Sequence, residues 1–210
     1  MSNPLASKPE LRPSSEAKRE AIIAAAARAF FAEGYEAVSI EQVAADAGVS
    51  KVTVYSHFGG KPGLFSAAVE AECARMGEAI SLEDVGTGPI EERLTNLGRT
   101  FQQFLSRPEI VNAERRIAAE TEREPEIGAC FLDAGPRRMH RALGLFMAHA
   151  AEQGELSLDD PMLAAEQFAS MCKGFGDLER RFGARVEPAA SEARVKGAVA
   201  TFLRAYGTRK

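Results

Sequence analysis

Apolar residues recur at intervals of three and four along most of this chain, and a proline or glycine stands at nearly every break in the pattern. This spacing is that of one face of an amphipathic helix, and Pro and Gly mark where helices begin and end. Helices are predicted over 15–33, 40–46, 51–58, 61–80, 90–107, 109–122, 126–153, 161–182 and 188–206. Gly135–Pro136 should kink or divide the segment 126–153. The sequence therefore predicts an all-α protein.

The stretch 39–61 predicts two short helices joined by a tight turn. Ser39 and Ser50 stand where N-caps are needed, and Gln42 completes a capping box after Ser39. Gly48 follows the last turn of the first helix, where a left-handed residue commonly ends a helix. A short connection that contains glycine is typical of a helix-turn-helix. The helix before this stretch is required as well, because two short helices alone bury too little surface.

The second helix of the pair has one apolar side and one polar side. Val54 and Phe58 are four residues apart and can both face inward. The outer side holds hydroxyls, an aromatic ring and a cation but no carboxylate, which is the chemistry that binds phosphates and base edges. The predicted DNA contacts are Ser39, Ser50, Lys51, Val52, Thr53, Tyr55, Ser56, His57 and Lys61. An ordinary solvent-exposed helix has a similar pattern.

The run G-V-S-K-V-T-V-Y-S-H-F-G-G-K-P-G-L-F resembles the signature of the TetR family of transcriptional regulators. The positions that agree are Gly48, Val49, Ser50, Thr53, Tyr55, His57, Phe58, Lys61 and Leu64, with Phe30, Gly34, Tyr35, Ser39, Ile40 and Ala44 upstream. The segments around 114–138, 159–168 and 199–207 resemble the regulatory domain of AefR-like members. The resemblance implies a three-helix DNA-binding domain over 14–62 and a helical ligand-binding and dimerisation domain over 63–210. Residues 1–13 contain three prolines and little to bury, so we expect them to form a mobile arm.

The last two predicted helices carry apolar stripes with alternating intervals of four and three. The stripe residues that we predict to form a dimer interface are Phe168, Met171, Phe175, Val195, Val199, Phe202 and Tyr206. Such stripes suit pairing with a second copy in a four-helix bundle, although both could face the core of one chain instead. The resemblance favours a homodimer, which would present two recognition helices to a palindromic operator in double-stranded DNA.

The helices between 90 and 153 supply aromatic and methionine side chains among a few polar groups, a composition typical of small-molecule sites. The predicted lining residues are Phe101, Phe104, Leu105, Arg116, His140, Phe146 and Met147. Core packing accounts for the same apolar residues without a ligand. The resemblance implies that a small-molecule inducer binds in this body and releases DNA by rotating the helix 61–80. We expect this helix to be the only continuous element that joins the two domains.

Charge changes this picture only slightly. The net charge is −4, and residues 1–63 carry equal numbers of basic and acidic side chains. Affinity for DNA must therefore come from the local placement of Lys18, Arg19, Lys51 and Lys61 rather than from a basic domain.

Other chemistry finds little support in the sequence. The three cysteines lack zinc spacing, the N-terminus lacks a signal peptide, and no apolar stretch is long enough to span a bilayer. No phosphate loop, nucleophile elbow or metal motif is present. We expect a cytoplasmic non-enzyme without catalytic residues, metal or cofactor, which acts as a repressor. The alternatives are an activator, a helical protein-interaction module, an enzyme that uses His140 and His149, and a redox role for one cysteine.

Overall fold

The computed structural model describes residues 14–79 and 88–208, so the predicted arm over 1–13 lies outside the described residues. These ranges contain α1 (Ser15–Glu33), α2 (Ile40–Asp46), α3 (Lys51–Phe58), α4 (Lys61–Ala79), α5 (Ile90–Leu105), α6 (Pro108–Thr121), α7 (Pro125–Ala134), α8 (Pro136–Glu152), α9 (Pro161–Arg181) and α10 (Pro188–Tyr206). No strand forms in the described ranges, where Leu156 and Gly207 make one isolated antiparallel bridge. The all-α prediction is confirmed.

Proline sets several helix boundaries because its missing N–H costs nothing in the first turn. It occupies the first helical position of α6, α7, α8, α9 and α10. The predicted helix over 126–153 is divided at Gly135, as expected, and α8 begins at Pro136. A side chain at Gly135 would come within 2.8 Å of the Cys73 sulfur on α4. The glycine therefore also permits close packing of the α7–α8 junction on α4.

The first core cluster joins α1, α2, α3 and α4 and extends to α6 and α7. At its centre Phe65 packs edge-on against both Phe30 and Tyr35, with ring centroids 5.2 and 5.1 Å apart. A Cβ at Gly63 would lie 2.1 Å from the carbonyl oxygen of Phe58, so only glycine permits this approach of α4 to the end of α3. The position of α3 is thus fixed by backbone contact as well as by its buried Val54.

The second core cluster lies among α5, α8, α9 and α10 and overturns part of the predicted dimer interface. Phe168, Val195, Val199 and Phe202 are at most 2% exposed in a single chain, so they present no surface to a second copy. Met171 and Tyr206 are partly buried against the same cluster. The physical reason is that the stripes of α9 and α10 pack on α5 and α8 of the same chain.

A break in α9 explains why the stripe does not continue. Gly174 has φ 52° and ψ −163°, which is far from helical. The second half of the helix is therefore rotated relative to the first, and Phe175 is 69% exposed although Phe168 is buried. Heptad spacing assumes an unbroken helix, so the sequence pattern failed at this point.

The two domains are joined by more than α4. The Glu120 carboxylate on α6 accepts hydrogen bonds from the backbone N–H groups of Tyr35 (3.0 Å) and Glu36 (3.2 Å) in the α1–α2 loop. Arg116, also on α6, donates to the carbonyl oxygen of Phe31 at 3.1 Å. Helix α4 is therefore not the only contact between the domains in the described ranges, because α6 also holds the end of α1 and the loop that follows it.

Candidate nucleic-acid interface

The turn between α2 and α3 is built as the sequence predicts. The Ser39 hydroxyl accepts from the Gln42 N–H and the Ser50 hydroxyl accepts from the Thr53 N–H, both at 3.1 Å. Gly48 adopts φ 65°, the left-handed conformation that ends α2. The Gln42 side chain departs from the capping box, since its amide donates to Glu33 at 2.9 Å and thereby links α2 to the end of α1.

The outer surface of α3 carries six of the nine predicted DNA contacts, whereas Ser39 and Ser50 cap α2 and α3 and Lys61 begins α4. Val52 is 76% exposed and Tyr55 is 46% exposed, Lys51 and Ser56 are also exposed, and Thr53 and His57 are half-buried. Only Val54 on this helix is buried. The helix therefore projects almost its whole outer side from the domain, in a geometry that can enter a groove of DNA.

Three hydroxyls at this surface already have intramolecular partners. The hydroxyls of Thr53 and Ser50 lie 2.8 Å apart and share a hydrogen bond. The Ser56 hydroxyl donates to the carbonyl oxygen of Thr53 at 2.8 Å. Because a hydroxyl both donates and accepts, each of the three retains capacity for a base or phosphate.

Lys51 has a partner that sequence reasoning missed. Its ammonium forms an exposed ion pair with Glu41 on α2, and it also lies 5.8 Å from the centroid of the Tyr55 ring. The hydrogen bond from Lys51 lowers the pKa of Glu41, and the same bond raises the pKa of Lys51. The two residues are on different helices, so helical spacing gave no signal. A carboxylate thus stands beside the recognition surface although α3 itself has none.

Lys61, which is predicted to contact DNA, also makes contacts within the protein. Its ammonium donates to the carbonyl oxygen of Glu36 at 3.0 Å and lies 4.6 Å from the centroid of the Tyr35 ring. Burial lowers the pKa of Lys61. The side chain therefore ties the start of α4 to the α1–α2 loop, and one of its donors is already used there.

A cavity of about 600 Å³ lies in the body beneath this domain, bounded by α4, α5, α6, α7, α8 and α9. The predicted residues that line it are Phe101, Phe104, Leu105, His140 and Phe146. The cavity is also lined by Phe131, Leu143, Phe168 and Ala169, which the predicted lining does not include. Phe131 and Leu143 belong to the apolar periodicity of α7 and α8, but nothing in that pattern separates a cavity wall from solid core.

Two predicted lining residues lie elsewhere. Arg116 is exposed on α6 and secures the carbonyl oxygen of Phe31 instead of facing the cavity. Met147 is fully buried and packs in the second core cluster, because α8 turns it away from the cavity toward the other helices of that cluster.

The charged groups of the cavity wall include four glutamates, Glu70, Glu72, Glu114 and Glu166, beside the cations Arg138 and Lys173. Glu72 is only 4% exposed and forms ion pairs with Arg75 and with Arg107, the latter at 2.6 Å. Glu114 lies 3.2 Å from Arg181, yet burial raises the pKa of its carboxyl. The wall therefore offers two carboxyl groups, each of which is paired with arginine.

The cysteine thiols of the described residues have raised pKa values. Burial raises the pKa of Cys73 to about 11 and that of Cys172 to about 12, and it also raises the pKa of Cys130. Reactive thiols have lowered pKa values. Within the part of the chain that the structure describes, no group of three His, Cys, Asp or Glu side chains could hold a metal ion. None of the described helices is long and apolar enough to cross a membrane.

A capped helix-turn-helix set on a helical body that encloses a cavity defines a DNA-binding regulatory protein. Residues 92–208 match the family described as AefR-like transcriptional repressor, C-terminal domain, and residues 22–68 match the bacterial regulatory proteins of the tetR family. The chain belongs to the TetR family of transcriptional regulators, with an AefR-like C-terminal domain, and it is not an enzyme.

Individual relatives agree with this assignment. The HTH-type transcriptional repressor AcnR of Corynebacterium efficiens is 26% identical over 144 residues, which cover 69% of this chain and 71% of that protein. A TetR-family regulator from Mesorhizobium loti superimposes with a TM-score of 0.80 at 29% identity, covering 94% of this chain and all of the other. The flavonoid-responsive regulator FrrA gives a TM-score of 0.72 at 31% identity over 92% of this chain and 98% of its own.

Proposed function

We propose that the protein is a repressor that binds a palindromic operator in the cytoplasm as a homodimer and is released by a small-molecule inducer. The observation that carries the DNA-binding part is the exposed, carboxylate-free outer side of α3 in a domain that belongs to a DNA-binding family. Helix α3 enters the major groove with Lys51, Thr53 and Ser56 toward base edges, and Tyr55 and His57 toward phosphates.

Operator contact requires the Lys51–Glu41 pair to open or to share its cation. Both side chains are exposed, and exposed ion pairs contribute little to stability, so a phosphate oxygen competes effectively for the ammonium. Glu41 in turn repels phosphates that approach from any other direction, and this favours one orientation of α3 in the groove.

The homodimer uses the surface that the broken α9 leaves outside. Phe175, Leu178 and Phe182 are 69%, 47% and 84% exposed, and exposed apolar clusters of this kind mark interaction sites. On α10 the exposed residues Ala193, Gly197 and Ala200 form a flat strip of small side chains, which permits close approach of a helix. A two-fold axis through this surface repeats α3 about one DNA turn, ~34 Å, away.

The inducer occupies the cavity of about 600 Å³, a volume within the range of ligand sites in proteins. Phe101, Phe104, Phe131 and Phe146 give it an aromatic wall, so we infer an aromatic ligand whose hydroxyl groups meet the carboxyls of Glu72 and Glu114. The description of FrrA as flavonoid-responsive supports this class.

Helices α4 and α6 transmit the ligand signal together. Both line the cavity, through Val69, Glu72 and Cys73 on α4 and through Ile110, Ala113 and Glu114 on α6. The far end of α6 holds the α1–α2 loop through Glu120. A ligand shifts operator affinity only by binding one arrangement of these helices better than the other, and a tenfold shift requires about 1.4 kcal/mol.

The test measures binding to DNA from upstream of the protein's own gene by fluorescence anisotropy at several salt concentrations. We expect specific, steeply salt-dependent binding. Val52→Glu, which adds a carboxylate to the outer side of α3, should abolish specific binding. Ala118→Glu makes the same charge change at an exposed site on α6 and should leave affinity unchanged. Wild-type affinity in Val52→Glu would disprove the docking of α3.

Repression and induction have separate readouts. A reporter gene behind the bound DNA should be expressed more strongly when the protein is deleted, whereas an activator would give lower expression. The flavonoid naringenin serves as the aromatic probe: it should raise the melting temperature of the protein and weaken operator binding. A probe that stabilises the protein without weakening operator binding would show a ligand site that is not coupled to DNA.

A further inference from the structure

A second cleft, of about 910 Å³, lies in the body. It is bounded by α5, by the start of α6, by the end of α9, and by the start of α10 with the segment that leads into it. It shares no lining residue with the aromatic cavity. Its charged lining residues are Arg99, Arg115, Arg180, Arg185 and Glu192. Four cations and one anion on one concave surface contrast with a chain whose net charge is −4.

The single carboxylate of the cleft is already neutralised. Glu192 accepts from Arg99 Nε at 2.9 Å and from Arg99 Nη2 at 2.5 Å, and Lys196 lies 3.4 Å away. Within residues 14–79 and 88–208, the ion pair of Arg185 is an exposed one with Glu187 at 3.4 Å. Arg115 forms no ion pair with any residue in the described ranges. The positive charge of Arg115 and Arg180 is therefore not compensated within the cleft.

The guanidinium of Arg180 is buried at the cleft, and two of its nitrogens have no hydrogen-bond partner among the described residues. The residue is 9% exposed, and its Nη2 donates to Gln102 at 3.3 Å. Its Nε and Nη1 are buried and have no hydrogen-bond partner. Buried guanidinium donors without an acceptor lose hydration with nothing to replace it, which is costly, and buried donors in native proteins almost always have partners. The cleft is the place from which an acceptor can approach.

The neighbours of Arg180 hold it in position. Gln102, which is 4% exposed, donates its amide to the carbonyl oxygens of Cys172 and Lys173, which precede the break in α9 at Gly174. Those bonds fix the direction of the Gln102 amide, and its carbonyl oxygen is then the group that faces Arg180. The guanidinium is thus built into the fold through Gln102 and the α9 break, unlike a surface arginine that moves freely.

We propose that this cleft binds a small organic carboxylate through Arg180 and Arg115. A carboxylate has the planar, two-oxygen geometry that guanidinium donors match. The rest of the wall is largely apolar, with Pro108, Val111 and Val186 among its members, so it suits the hydrocarbon part of an organic acid better than an inorganic ion. This site is separate from the aromatic cavity of the proposed inducer and does not depend on DNA binding.

The experiment uses 4-fluorobenzoate as the probe and its neutral analogue 4-fluorobenzamide, followed by fluorine NMR line broadening on the full-length protein. We expect saturable binding of the benzoate up to about 10 mM, since a ligand this small binds weakly, and no binding of the benzamide. Arg180→Gln should weaken benzoate binding at least tenfold while the melting temperature stays equal or rises, because the variant removes an uncompensated buried charge.

Matched variants locate the binding. Arg141→Gln removes an exposed arginine of α8 outside both cavities and should bind benzoate as the wild type does. Phe104→Trp narrows the aromatic cavity and should also leave benzoate binding unchanged. Should Arg180→Gln fail to fold, Arg115→Gln replaces it, with an expected loss of several-fold. The proposal is overturned if the benzamide binds as well as the benzoate, or if the benzoate does not bind at about 10 mM. It is also overturned by wild-type benzoate affinity in Arg180→Gln or Arg115→Gln, or by a loss of benzoate affinity in Phe104→Trp.

Discussion

The contact between Glu120 and the α1–α2 loop gives the sharpest prediction about stability. The carboxylate accepts from the N–H groups of Tyr35 at 3.0 Å and Glu36 at 3.2 Å, and the first of these bonds is partly buried. Glu120→Ala removes both acceptors and leaves the Tyr35 N–H without a partner away from bulk water. A hydrogen bond to a charged group contributes about 1.5–3 kcal/mol. The partly buried bond should reach this range and the exposed bond should contribute less.

We therefore expect Glu120→Ala to lower the free energy of unfolding by about 2–3 kcal/mol. Glu120→Gln keeps one acceptor oxygen without the charge and should cost about 1 kcal/mol. Glu122→Ala is the matched control, because the Glu122 side chain is exposed and has no partner in the described ranges. Its free energy of unfolding should stay within about 0.5 kcal/mol of the wild-type value. All variants are compared by urea unfolding at one protein concentration, since unfolding of a dimer depends on concentration.

Amide hydrogen exchange gives a local readout of the same contact. The N–H groups of Tyr35 and Glu36 should exchange much faster in Glu120→Ala, whereas amides within α9 should be unaffected at sub-global opening. An unfolding free energy within 0.5 kcal/mol of the wild type, together with unchanged protection of these two amides, would refute the reasoning. Loss of stability without loss of local protection would place the effect of Glu120 elsewhere on α6.

Three further predictions concern the cavity, the dimer and the thiols. Phe104→Trp should reduce the affinity of naringenin at least tenfold without weakening operator binding, as measured by calorimetry and anisotropy; unchanged affinity would place the ligand outside the cavity. Phe182→Glu should convert the dimer to monomer in sedimentation at micromolar concentration, whereas Phe175→Ala should only weaken it; a dimeric Phe182→Glu would contradict the assigned surface. Burial raises the pKa of Cys73 to about 11 and of Cys172 to about 12, so the fraction of each thiol that is thiolate at pH 7 is about one in ten thousand or less. Iodoacetamide should therefore label neither cysteine appreciably in the folded protein, and rapid labelling would support a redox role instead.

The helices and the recognition turn could be predicted from the sequence because their determinants are local. A serine whose hydroxyl reaches the N–H three residues on, a glycine with positive φ at position 48 and a proline in the first turn act within a few residues. Ser39 and Ser50 therefore cap α2 and α3 as predicted, and Pro161 begins α9. The boundaries of α1 and α3 also agree with the predicted ones.

The surfaces could not be predicted, because they depend on which helix faces which. Periodicity states that Phe202 and Phe175 each lie on an apolar stripe, but only the packing of α10 on α5 and the break at Gly174 decide that one is buried and the other exposed. The decisive contacts join residues that are far apart in the sequence. Lys51 and Glu41 are 10 positions apart, Glu120 and Tyr35 are 85 apart, and Arg180 and Gln102 are 78 apart. Local sequence determined what each helix is, whereas burial and electrostatics between helices, which are set by long-range packing, decided what each helix does.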